Sequence, residues 1–156
     1  MLAQGKGFMA AGKSQGPSGQ EKIMMALVRA AELFKRRSSA IFKSQDLTFS
    51  QYNVLRVLEA SQGGKKAINE VSKTMLSSAP NLSGIAKRLE KGGFITRESL
   101  AQDERVKLLG ITAKGRRVLG LIAREQEENI HMFLRGSSQK KRDEMLAILR
   151  NMLKLD

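Results

Sequence analysis

The sequence predicts a mainly α fold of about six helices with one two-stranded β hairpin, and three observations predict it. Apolar residues recur at three-to-four spacing over most of the chain, the period of a helix with one buried face. Two β-prone runs, Phe94–Ser99 and Val106–Thr112, interrupt that period around a polar tip at residues 100–105. Clusters of Gly, Ser and Pro at 63–64, 77–80, 92–93 and 136–138 punctuate the pattern into separate elements. At 156 residues the chain is one domain long, enough to bury a core without a second domain.

Residues 1–19 are rich in Gly, Ser, Gln and Ala without periodicity and read as a flexible tail. From Gln20 the pattern turns helical, with Ile23, Leu27, Ala31, Phe34, Ile41 and Phe42 on one face and charged residues opposite. This helix is expected to end before Asp46-Leu47. A second begins at Thr48-Phe-Ser-Gln51, a Thr-x-x-Gln capping box in which each side chain satisfies the other residue's exposed backbone donor. Its apolar face is Tyr52, Val54, Leu55 and Leu58, and Gly63-Gly64 ends it. A short third helix covers about 69–75. After the tight connection Ser77–Pro80, a fourth covers about 80–91, where Pro80 suits a first turn that needs no N–H.

The fourth helix places Leu82, Ile85, Ala86 and Leu89 at i, i+3, i+4 and i+7, opposite Asn81, Ser83, Gly84, Lys87, Arg88 and Lys91. The third and fourth helices, joined by this short turn, form a helix-turn-helix, and the hairpin 94–112 that follows is its wing. Thr112 is placed to cap a long fifth helix reaching about Leu134. A last amphipathic helix carries Met145, Leu146, Leu149, Met152 and Leu153. The fifth and sixth helices, with the first, are long for so small a winged core. Their apolar faces fit either intramolecular packing or burial against a second copy.

Charge narrows the partners. The chain carries 28 Lys+Arg against 15 Asp+Glu, a formal charge of +13, which favours a polyanion: nucleic acid or an anionic membrane surface. Between Lys87 and Arg117 nine basic residues face four acidic ones. No apolar run approaches the roughly 18 residues of a membrane span, and the N-terminus has no apolar signal core, so a soluble, cytoplasmic protein is expected. With no Cys and only His131, neither a thiolate nor a His-rich metal site can be built, and no metal or cofactor is expected. No nucleophile–base pair and no phosphate loop is legible, and Glu127-Glu128 lie on a solvated helix face, so the chain is not read as an enzyme.

On this reading the fourth helix is the candidate recognition helix, since a helix fits the major groove of B-DNA. Asn81 and Ser83 lie near its N-terminus, and Lys87 and Arg88 can reach phosphates or a guanine edge; an ordinary solvated face would carry the same residues. In the wing, Asp103 two positions before Arg105 can direct the guanidinium through a charge-assisted bond, towards a minor groove or a phosphate. Lys107 adds a cation to the same strand. A mixed-charge solvated turn is the competing account of these wing residues.

The runs Leu47–Leu55, Arg88–Ile95, Asp103-x-Arg105 and Gly110–Gly115 resemble the MarR family of bacterial transcription regulators, over about residues 20–153. The resemblance implies a homodimer built from the terminal helices (20–47 and 113–156) and a winged helix-turn-helix at 48–112 that binds double-stranded DNA at a pseudo-palindromic promoter site. It implies a regulator, expected to be a repressor, and in many members release by a small-molecule effector. Carried over, Asp103 would orient Arg105 for minor-groove contact, while Asn81, Ser83, Gly84 and Lys87 would face the major groove. Many relatives carry a longer polar residue where this chain has Gly84. The alternative is an architectural nucleic-acid-binding protein that uses the same basic surface without sequence preference.

Overall fold

A computed structural model of the chain describes residues 16–75, 78–100 and 103–154, and only the backbone of residues 79, 100 and 103–106. Ten elements follow one another: helix α1 (Gly19–Lys43), helix α2 (Phe49–Glu59), a 3-10 turn (Gln62–Gly64), strand β1 (Lys65–Ala67), helix α3 (Ile68–Thr74), helix α4 (Ala79–Lys91), strands β2 (Ile95–Leu100) and β3 (Asp103–Ile111), and helices α5 (Ala113–Phe133) and α6 (Gln139–Met152). The chain divides into two compact units between Leu33 and Phe34, inside α1.

The first unit is the N-terminal part of α1. Ser18 and Glu21 begin it reciprocally: the Ser18 N–H donates to Glu21 Oε2 at 2.6 Å and the Glu21 N–H to Ser18 Oγ at 3.2 Å. Beyond that turn its apolar residues Ile23, Met24, Met25, Val28 and Leu33 are exposed. Leu27 is half-buried.

The second unit holds the core. Phe42, Leu47, Val54, Leu55, Leu58, Val71, Leu82, Leu89, Ile95, Leu109 and Ile122 are buried in one cluster that joins α2, α3, α4, the sheet and α5. Full burial of each such side chain contributes about 1.5–3 kcal/mol, which is why short helices such as α3 hold their place here. Aromatic rings extend the cluster: Phe42 stacks on Tyr52 with centroids 3.9 Å apart, and Phe34 meets Phe49 and Phe133 edge-on. Burial pushes the Tyr52 phenol above its ordinary value; the Arg56 charge opposes that shift and Glu59 adds to it.

The caps explain where helices start. Both bonds of the expected box at α2 are present: the Gln51 N–H donates to Thr48 Oγ1, and the Thr48 N–H to Gln51 Oε1. Thr112 caps α5 by accepting from the Gly115 N–H at 3.1 Å. Gly136, at φ +80°, turns the chain after α5, and Ser138 Oγ accepts from the Lys141 N–H to start α6.

Three features differ from the sequence expectation. The sheet has three strands, in the order β1-β3-β2, all antiparallel, instead of a two-stranded hairpin. Helix α2 ends at Glu59, with Ala60 as its C-cap, ahead of the expected Gly63-Gly64; these glycines, with φ of +63° and +72°, instead swing the chain back so that Lys65–Ala67 pairs with Leu108–Gly110. The second strand of the wing also starts three residues earlier than expected, at Asp103. Asp103 therefore pairs with Leu100 instead of sitting in an open tip. The next regular pair is Ser99 with Lys107, so the backbone of Glu104, Arg105 and Val106 forms a bulged stretch within β3.

Candidate nucleic-acid interface

Helix α4 is anchored by its apolar face and by its C-terminal end. Leu82, Ile85, Ala86 and Leu89 are buried, as their spacing requires. At the C-terminus the Gly92 N–H donates to Arg88 O, the Gly93 N–H to Glu90 O and the Phe94 N–H to Leu89 O, which closes the last turn and hands the chain to β2. The start of α5 grips this end. Lys114 Nζ donates to Gly92 O at 2.8 Å, Thr112 Oγ1 donates to Gly93 O at 2.8 Å, and the Thr112 N–H donates to Phe94 O at 3.1 Å.

Gly115 makes that grip fit. A Cβ at this position would collide with the Phe94 carbonyl oxygen and come within 2.7 Å of Ile111 Cγ1. The first turn of α5 therefore lies directly against the end of β3 and the residue that follows α4.

On the outer face of α4, Asn81, Ser83, Lys87, Arg88, Glu90 and Lys91 are exposed. Gly84 lies among them, and a Cβ there would meet only Arg88 Nη2, at 3.7 Å. The fold therefore leaves room for a side chain at position 84. The Arg88 guanidinium lies back over the space that a longer residue would occupy. Asn81, Ser83, Lys87 and Arg88 thus share one solvent-facing surface, which the sequence pattern anticipated.

The wing is more divided. Arg97 turns towards α4 and pairs with Glu90 at 3.4 Å, on the side of the sheet that also carries Leu109. Lys65 pairs with Glu98 across the sheet at 3.0 Å. Lys107 Nζ donates to Ser99 Oγ at 2.6 Å, so this predicted contact residue braces the two wing strands to one another. The side chains of Asp103 and Arg105 lie outside the described residues, and only their place in the bulged backbone of β3 is fixed. Of the nine basic residues counted between Lys87 and Arg117, Arg97 and Lys114 thus hold the wing and α5 to α4.

Sequence reasoning missed the clamp formed by Thr112, Lys114 and Gly115. Its signal is present as a Thr followed three positions later by Gly at a helix start, which reads as a cap but carries no hint of what the cap leans on. Among the described residues no cluster of His, Cys, Asp and Glu could hold a metal, and no helix is long and apolar enough to cross a membrane.

Comparison with known proteins agrees with this architecture. A sequence profile described as "MarR family" matches residues 45–106, which span α2, α3, α4 and most of the wing. The chain is 29% identical over 109 residues to the HTH-type transcriptional regulator TtmR of Methylorubrum extorquens, covering 70% of this chain and 55% of TtmR, so it spans about half the length of that relative. It is 30% identical over 118 residues to the uncharacterized HTH-type transcriptional regulator YybA of Bacillus subtilis, covering 75% of this chain and 77% of YybA. Its fold matches the crystal structure of Sco3205, a MarR family transcriptional regulator from Streptomyces coelicolor in complex with DNA, with a TM-score of 0.79 at 19% identity over 91% of both chains. With a winged helix-turn-helix, a match to the MarR family over residues 45–106 and a relative at 30% identity, the chain belongs to the MarR family.

Proposed function

We propose that the chain is a cytoplasmic transcription regulator that binds double-stranded DNA as a homodimer at a pseudo-palindromic promoter site, and that it acts as a repressor. In this reading residues 48–112 are the DNA-binding region, and 20–47 with 113–156 form the dimerisation region. The observation that carries it is the pair of faces on α4: one buried on Leu82, Ile85, Ala86 and Leu89, the other exposing Asn81, Ser83, Lys87 and Arg88. A helix so anchored is a rigid reading element, and its exposed groups are of the types that pair with base edges and phosphates. The net charge of +13 supports a large phosphate contribution to affinity. The likeness to YybA, named as an HTH-type transcriptional regulator, supports the same reading.

Dimerisation is supported by apolar surface that is left uncovered among the described residues. Helix α6 buries no residue, and Met145, Leu146 and Ile148 on it and Leu153 at its C-cap are exposed. Leu121, Ile130 and Met132 on α5 and the apolar residues of the N-terminal part of α1 are exposed as well. A two-fold dimer through such faces would set two copies of α4 about 34–36 Å apart, one turn of DNA.

Arg105→Ala is expected to weaken binding to the chain's own upstream duplex by more than about 1 kcal/mol, with an unchanged melting temperature. A gel-shift titration checks this, and wild-type affinity in the variant would remove Arg105 from the interface. Sedimentation at micromolar concentration tests the dimer, which a monomer would refute.

A further inference from the structure

Within the second unit, the end of α1 and the long α5 meet along apolar stripes that are interrupted at the same level. On α1 the inward positions are Phe34, Ser38, Ile41 and Phe42, at i, i+4, i+7 and i+8. On α5 they are Ile122, Gln126, Asn129 and Phe133, at i, i+4, i+7 and i+11. The Phe34 and Phe133 rings meet edge-on with centroids 5.3 Å apart. Further along, Ser38 Oγ accepts from Asn129 Nδ2 at 3.0 Å and from Gln126 Nε2 at 3.3 Å. The two segments therefore run antiparallel, with a polar trio in the middle of an apolar seam. Ser38 is fully buried, and Gln126 and Asn129 are only 5% and 4% exposed.

The trio is a poor source of stability. Both of its hydrogen bonds converge on one hydroxyl, while Gln126 Oε1 and Asn129 Oδ1 are buried with no donor among the described residues. An unmade buried polar group costs at least what a made bond returns, so the balance leaves little net gain. Ala and Leu would fill the same seam without that cost. What the trio does supply is direction. Apolar contacts tolerate a slip of one helical turn, about 5.4 Å, or a rotation of one helix on the other. After such a slip Ser38 would face Ile122 or Phe133, and both amides would face carbon with no acceptor. Nothing else polar resists it: among the described residues these are the only hydrogen bonds from α1 to α5, and no ion pair joins the two. A single buried polar contact fixes register in coiled helices in this way, at a cost in stability.

We propose that Ser38, Gln126 and Asn129 are positioning residues that lock α1 on α5 in one register, and that they do so without stabilising the fold. Their effect on DNA rests on the function proposed above. Both segments belong to the proposed dimerisation region, so their register would set the spacing of the two reading helices.

The test replaces the trio by carbon, with Ser38→Ala, Gln126→Leu and Asn129→Leu together in the full chain. The melting temperature should equal or exceed that of the wild type. Ser38→Ala alone keeps both amides and removes their acceptor, so it should melt below both. A triple variant that melts well below the wild type, or fails to fold, overturns the proposal, because the trio is then a stabilising network. Register is read separately. The chain has no Cys, so spin labels attached through Lys35→Cys on α1 and Glu127→Cys on α5, both exposed positions, are unique. With the labelled chain diluted in unlabelled chain, pulsed dipolar spectroscopy should give one narrow distance while the trio is intact. In the triple variant the distribution should at least double in width or gain a second peak, and an unchanged single peak overturns the lock. On DNA, the triple variant should lose at least tenfold in affinity for the chain's own upstream duplex and keep its affinity for a random one. Unchanged affinity for the upstream duplex refutes the link from register to DNA. A wild type that does not distinguish the two duplexes refutes instead the proposed function, and leaves the spin-label result standing.

Discussion

Helices α4 and α6 are nearly equal in length and both amphipathic, yet the fold treats them in opposite ways. Helix α4 hides every large apolar side chain it has: Leu82, Ile85 and Leu89 are all buried. Helix α6 hides none, and Ile148 and Leu153 stand more than 60% exposed. The difference is one of completeness. Helix α4 covers its apolar surface within one chain, whereas the terminal helix leaves its own to the partner proposed above. Stability of the reading element should therefore be local, and stability of the terminal helices should depend on protein concentration.

The sharpest way to break that contrast is to shorten a leucine on each helix. Leu89→Ala in α4 should destabilise the fold by about 2–5 kcal/mol, because it leaves a cavity in a rigid cluster. Leu153→Ala at the C-cap of α6 should change unfolding far less at high protein concentration, and lower the apparent melting temperature mainly on dilution. Thermal melts at two concentrations a hundredfold apart check both. A large, concentration-independent loss in Leu153→Ala would erase the distinction.

Two glycines extend the comparison within the reading head. Gly115→Ala forces a methyl group against the Phe94 carbonyl and Ile111, and should cost about 1–3 kcal/mol through overpacking. Gly84→Ala makes only an ordinary contact with the Arg88 guanidinium on the outer face of α4, so it should stabilise the helix by about 0.5–1 kcal/mol. Denaturant titrations give both signs. If Gly84→Ala weakens DNA binding while raising stability, close approach of DNA to the backbone at that position explains the glycine; unchanged affinity excludes that explanation.

The smallest expected effect is on pH dependence. Tyr52 keeps its proton in the folded chain beyond its ordinary value of 10.0, because burial disfavours the phenolate. The folded state then holds more protons than the unfolded state above about pH 10, so stability falls as pH rises through that region. Tyr52→Phe should flatten this fall and leave stability between pH 6 and 8 nearly unchanged. A steep alkaline loss that persists in the variant would assign it to other groups.

What the sequence made legible follows the strength of the local signal. The i, i+3, i+4, i+7 spacing on α4 and the box at Thr48 and Gln51 are set by neighbours within a turn, and both appear as expected. Strand β1 was hidden because Lys65-Lys66-Ala67 has no alternation of its own; it forms by pairing with β3, more than 40 residues away. The tip of the wing was drawn too wide, since the bulge that lets Leu100 pair with Asp103 depends on both strands at once. Among the candidate site residues, Asn81, Ser83, Lys87 and Arg88 share the outer face of α4. Lys107 is engaged with Ser99, a pairing across strands that no single strand could reveal.

The reading head's exposed face matters only if it recognises sequence, and one measurement decides that most directly. Fluorescence anisotropy should be followed with the duplex upstream of the chain's own gene against a random duplex of equal length, at several salt concentrations. A regulator that reads DNA through α4 and the wing should prefer its own site by about 10³-fold or more, with affinity that falls steeply as salt rises. Equal affinity for both duplexes, with the same salt slope, would contradict the account and leave an architectural protein that holds phosphates without reading bases.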